Sequence, residues 1–110
     1  MPLADDDTAV TLINIFTVDP ADQQRLIDLL TRVTDDFVSH ASGFVSAKLH
    51  RSIDGRKVTM YACWRSVEHY QAMRQDAAPQ RLLEEVLSFA TFEPGVYTTV
   101  RTFGHPDGRS

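Results

Sequence analysis

At 110 residues, with 43% hydrophobic and 24% charged side chains, the chain has the size and balance of one folded domain rather than of a disordered segment. Its 15 Asp+Glu against 11 Lys+Arg, a net charge of −4 and the want of any basic cluster weigh against nucleic acid as a partner. A single cysteine, Cys63, excludes an internal disulfide, no apolar run approaches the roughly 20 residues of a membrane span, and Asp5-Asp6-Asp7 is unlike a signal peptide, so a cytoplasmic setting is expected.

Residues 1–8 read as a flexible acidic tail, 9–103 as the domain, and 104–110 as a second flexible tail. Residues 9–18 are rich in β-branched and aromatic side chains and predict a strand. Both its faces are apolar, with Leu12 and Phe16 on one and Ile13 and Ile15 on the other, so both must be covered. Asn14 is an amide between Leu12 and Phe16 on that apolar face, where a polar group needs a partner. Asp19-Pro20 signals a helix start, a capping carboxylate followed by a residue suited to the first helical position. Leu26, Leu30, Val33 and Phe37 then recur at helical spacing.

Residues 44–52 and 57–64 predict two strands around Asp54-Gly55, a strong hairpin signal in which both residues tolerate positive φ. A two-residue loop pairs Val45 with Trp64, Ala47 with Ala62 and Leu49 with Met60, gathering those side chains on a face that belongs under helices. That register points His50 to the other face; a three-residue loop would reverse it. Ser66 caps a short helix holding Tyr70 and Met73. A break near Asp76–Pro79 leads to another helix with Leu82, Leu83, Val86 and Leu87 as its buried stripe, and residues 91–103 predict a last strand bent near Pro94-Gly95.

The order β-α-β-β-α-β, its second helix broken, predicts an α+β, ferredoxin-like fold: a four-stranded antiparallel sheet with helices on one face. The other face needs a cover that the chain has nothing left to supply. Two such sheets packing face to face would bury it, which predicts a homodimer. Trp64 and Tyr70, at a strand-to-helix junction above the sheet, would make a wall for a flat aromatic ligand.

Several segments carry a resemblance: Leu12-Ile13-Asn14-Ile15-Phe16-Thr17-Val18, Gly43-Phe44-Val45-Ser46-Ala47, His50 to Gly55, Tyr61-Ala62-Cys63-Trp64 and Ala90-Thr91-Phe92-Glu93-Pro94. In order and spacing they resemble the antibiotic-biosynthesis monooxygenase family of the dimeric α+β barrel group. The resemblance implies a homodimeric barrel and an oxygenase that converts an aromatic polyketide or related phenol to a quinone with O2 and no cofactor. It carries Trp64 over as the pocket tryptophan, Tyr70 as a proton shuttle or phenol-orienting donor, and Arg81 as the helix arginine, the three catalytic candidates. Asn14, Met60 and His50 are the substrate-binding candidates. Met60 stands where the family has asparagine, and methionine cannot donate a hydrogen bond.

That substitution motivates an alternative, a non-oxidative aromatic-ligand binding protein or cyclase on the same fold; a purely structural dimerisation module is a third reading. A haem-degrading branch shares an asparagine like Asn14, but Ala72 and Leu82 fall near the positions of its tryptophan and its histidine ligand, which argues against haem degradation. His40, His69 and His105 show no metal-ligand spacing and read as surface residues, so no metal is expected. Cys63 reads as a small hydrophobe at the sheet–sheet interface. No Ser-His-Asp set, P-loop or dinucleotide-binding glycine run is present.

Overall fold

A computed structural model describes residues 9–105; tail segments 1–8 and 106–110 lie outside that range. The strands are β1 (Val10–Val18), β2 (Phe44–Arg51), β3 (Lys57–Trp64), β4 (Ala90–Glu93) and β5 (Val96–Tyr97), and the helices α1 (Gln23–Asp36), α2 (Val67–Arg74) and α3 (Ala77–Leu87). The sheet order is β2-β3-β1-β4 with β5 also on β1, and every pair is antiparallel. This is the ferredoxin-like α+β arrangement expected from the pattern.

Local chemistry explains most boundaries. Asp19 Oδ1 accepts the Ala21 N–H at 2.9 Å and caps a 3-10 turn, Pro20–Asp22, that runs into α1. Gln23 is buried, and its Nε2 donates to the Lys57 and Ser52 carbonyls at 2.9 and 3.3 Å, tying α1 to the base of the β2–β3 hairpin. The hairpin keeps the expected register, Ala47 opposite Ala62 and Leu49 opposite Met60. Its turn differs: Gly55 N–H bonds to Ser52 O, and only Gly55 has positive φ, at 82°. Asp54 stays at negative φ and uses its side chain, accepting from Arg56 N–H at 3.0 Å and Ser52 Oγ at 2.8 Å. Those two hydrogen bonds hold the exposed Asp54 carboxyl below the usual carboxylate range.

Three expectations need correction. An irregularity between Phe44 and Ser46 places Phe44, not Val45, opposite Trp64, and Val45 turns outward, 55% exposed. Leu87 leaves the α3 stripe, 52% exposed, because the helix ends there and Leu82 and Val86 already take the buried side. The last strand stops at Tyr97: continuing its register would set Thr98 against Val10, where β1 ends, so residues 98–103 have no partner strand in the described chain.

The helices cover one sheet face, and the core beneath them falls into two clusters. Phe16, Val18, Leu26, Leu30, Val58 and Val86 form one; Leu12, Ala62, Trp64, Tyr70 and Met73 form the other. Between them on the sheet lies the cross-strand pair Asn14 and Met60. The opposite sheet face carries Ile13, Ile15, Tyr61 and Cys63, and among the described residues no helix lies over it; Cys63 is half-buried beside Thr11 and Ser46.

Candidate functional site

A cavity fills the interval between the two core clusters. Its free space, mouth included, is about 700 Å3, and its wall is mainly apolar, drawn from β1, β3, α1, α2 and α3. Trp64 forms one wall. It is 1% exposed and is held edge-on by Phe44, centroids 5.5 Å apart, and by Tyr70 at 6.0 Å. At the other end Phe16 and Phe92 stack at 4.8 Å. The β2 irregularity thus has a use, because it brings the Phe44 ring against the tryptophan.

The junction that sets Trp64 depends on a close approach. Gly43 has φ 88°, its carbonyl accepts the Arg65 N–H at 2.8 Å, and a β-carbon there would sit 2.3 Å from His69 Cγ. Ser66 Oγ accepts the His69 N–H at 3.2 Å and lies 2.7 Å from His69 Nδ1, fixing the start of α2. His69 is therefore half-buried packing, not a surface residue.

Polar groups are few, and each has a distinct setting. Tyr70, buried on α2, accepts a hydrogen bond at its hydroxyl from Arg74 Nη1 at 2.5 Å, one turn later. The acceptor side of that oxygen is thus engaged, while its own O–H remains to be donated, polarised by the charged neighbour. Arg74 bridges the two ends of the cavity, its guanidinium carbon 5.7 Å from the Tyr70 ring centre and 5.9 Å from that of Phe92. Among the described residues no carboxylate forms an ion pair with it. Asn14 and Met60 complete the floor.

Four sequence candidates, Trp64, Tyr70, Asn14 and Met60, therefore share this cavity. Two do not. Arg81 is exposed on α3, one residue before the Leu82–Leu83 wall, so helical rotation carries it away from the cavity. His50 is exposed opposite Thr59 on the face away from Leu49 and Met60, as the two-residue-loop register requires. Arg74 was not among the sequence candidates, although its place four residues after Tyr70 was a usable signal.

Comparison with known proteins gives this geometry a family. The sequence profile of the antibiotic biosynthesis monooxygenases matches residues 9–85. The chain belongs to this family. It is 39% identical over 100 residues to tetracenomycin-F1 monooxygenase of Streptomyces glaucescens, covering 89% of each protein. Among solved structures it resembles a monooxygenase from the gene ActVA-Orf6 of Streptomyces coelicolor, in complex with nanaomycin D. That match has a TM-score of 0.80 and 27% identity, over 93% of this chain and 96% of the other. SnoaB, a cofactor-independent oxygenase from Streptomyces nogalater, shares the fold at TM-score 0.76 and 23% identity, over 88% of this chain and 98% of its own. The match to the family extends over β1, the hairpin and the helix residues that line the cavity, and stops short of β4, which carries Phe92.

Proposed function

We propose that this member of the family oxidises a flat aromatic phenol, of the polyketide type, to a quinone with O2 inside the cavity beside Trp64. The observation that carries the reading is the apolar, aromatic-walled space whose polar groups are Tyr70 paired to Arg74 and the amide of Asn14. The 39% identity to a tetracenomycin-F1 monooxygenase supports the same substrate class.

In this reading the substrate supplies the electrons. Loss of a proton from an anthrone-type phenol gives a phenolate with carbanion character at the ring carbon. That carbon reduces O2 and takes it up as a hydroperoxide, and loss of water leaves the carbonyl: one oxygen atom enters the quinone and the other leaves as water. Trp64 and Phe44 hold the ring plane, while Tyr70 donates its O–H to a substrate oxygen. The Arg74 charge stabilises the anion in a space lined by apolar side chains, where such stabilisation is strong.

The assembly proposed is a homodimer joined through the uncovered sheet face. Ile13, Ile15 and the 41%-exposed Tyr61 lie on it, and residues 98–103, with Val100 and Phe103 exposed, outrun their own sheet. A second reading, ligand binding or cyclisation without oxidation, is favoured by Met60, whose thioether offers no donor to a substrate oxygen. O2 uptake with dithranol as substrate separates the two. Uptake with quinone formation, without added flavin or haem and greatly reduced in Trp64→Phe, supports oxygenation. Saturable quenching of Trp64 fluorescence without uptake by wild type or by Met60→Asn supports the second reading.

A further inference from the structure

The helix-facing positions of β1 run Leu12, Asn14, Phe16 and Val18; the three apolar ones are buried in the core clusters, and the amide interrupts them at the cavity. Asn14 Oδ1 is buried and has no hydrogen-bond partner, and among the described residues nothing bonds to the other end of the amide either. Its cross-strand neighbour is Met60, which has no proton to give. A buried acceptor left without a donor weakens the fold, and a leucine of similar shape would serve the core better. The residue thus makes sense as part of a site whose missing partner arrives with the ligand.

We propose that Asn14 is a specificity-determining residue: its amide oxygen accepts the O–H of a free hydroxyl on the edge of a flat aromatic ligand seated against Trp64. This rests on the cavity's being the phenol site proposed above, and among such phenols it favours rings carrying a hydroxyl not already bonded to a neighbouring carbonyl; dithranol, whose two hydroxyls both bond to its own carbonyl, would be taken without that contact. An ammonium group could also donate, but Arg74 on the same cavity wall disfavours a cation. The amide is uncharged, so it holds the hydroxyl without neutralising Arg74.

The test compares 2-hydroxyanthraquinone with 2-methylanthraquinone, which replaces the hydroxyl by a methyl of similar size. Both rings are already oxidised, so binding is read without turnover, through quenching of the single tryptophan, Trp64. Wild type should bind the hydroxyl compound about 5-fold or more tighter, as one net hydrogen bond gives. In Asn14→Leu that preference should fall to about 1, through weaker binding of the hydroxyl compound alone. The melting temperature should stay level or rise by up to about 4–8 °C. Asn14→Thr, which retains a hydroxyl, should keep part of the preference. A preference that survives in Asn14→Leu, no preference in wild type, no binding of either ring, or a lower melting temperature for Asn14→Leu would each overturn the proposal, the last by giving the amide a structural role. The two readings fail separately. Absent O2 uptake with the hydroxyl preference intact sinks the oxygenase and spares Asn14; uptake with the preference unchanged in Asn14→Leu does the reverse.

Discussion

Replacing Arg74 by methionine keeps most of the aliphatic stem and removes the guanidinium. Tyr70 Oη then loses its 2.5 Å donor, and two ring contacts at 5.7 and 5.9 Å disappear. Hydrogen bonds to a charged group contribute about 1.5–3 kcal/mol, and the ring contacts, near the outer limit of such interactions, at most about 0.5 kcal/mol each. Arg74 is only half-buried, so solvent takes back part of this, and a folding loss of about 1–2 kcal/mol is expected. At about 4–8 °C per kcal/mol for a domain near this size, the melting point should fall by roughly 4–16 °C. The loss in turnover should be larger, about 10²–10³-fold in kcat, the scale of removing one donor aimed at developing negative charge. Arg81→Met is the internal control: exposed and off the cavity, it should change stability by less than about 0.5 kcal/mol and leave turnover near wild type. The assay is O2 uptake with dithranol beside thermal unfolding of both variants. Lost activity in Arg81→Met with Arg74→Met retaining it would refute the assignment of the charge to α2.

Other perturbations reach the scaffold. Gly43→Ala must carry a side chain at φ 88° and place its β-carbon 2.3 Å from His69. It should cost about 2–5 kcal/mol in urea unfolding, and His69→Ala should return little of it, because the His69 β-carbon stands in the way as the ring does; an undisturbed Gly43→Ala would contradict the packing described. The Asp54 carboxyl titrates below its unfolded value, so the turn's contribution is present above about pH 4 and is lost as pH falls through the lower folded value. The stability gap between wild type and Asp54→Ala should therefore close in acid, which chemical denaturation at stepped pH will read. For the dimer, light scattering should give twice the 12.4 kDa chain mass for wild type and one chain for Ile13→Lys, which sets a charge on the uncovered sheet face; a monomeric wild type would remove the dimer.

Most of the frame was legible because it rests on short-range chemistry. Asp19-Pro20 signals a helix start through its own capping chemistry, and Asp54-Gly55 centres the hairpin; of the two registers it allows, the two-residue one is observed, with Ala47 on Ala62 and Leu49 on Met60. What sequence reasoning missed depends on longer-range geometry. The irregularity at Phe44–Ser46 has no residue signature, yet it exchanges Val45 for Phe44 beside Trp64. The end of the last strand is set by where β1 runs out. Within the site, the strand-borne candidates were legible from period-two alternation. Likeness points to Arg81 as the helix arginine, whereas the arginine that lines this cavity is Arg74, one turn after Tyr70. His69 looked like a surface residue because the glycine that receives it, Gly43, is distant in sequence.

The most direct test of the central claim is a single turnover of dithranol under 18O2 in ordinary water, with the quinone read by mass spectrometry. One 18O atom in the quinone, formed by the protein without added flavin or haem and lost in Arg74→Met, is the predicted result. A quinone without label, or no quinone beyond the protein-free background, would contradict oxygenation of a phenol in this cavity.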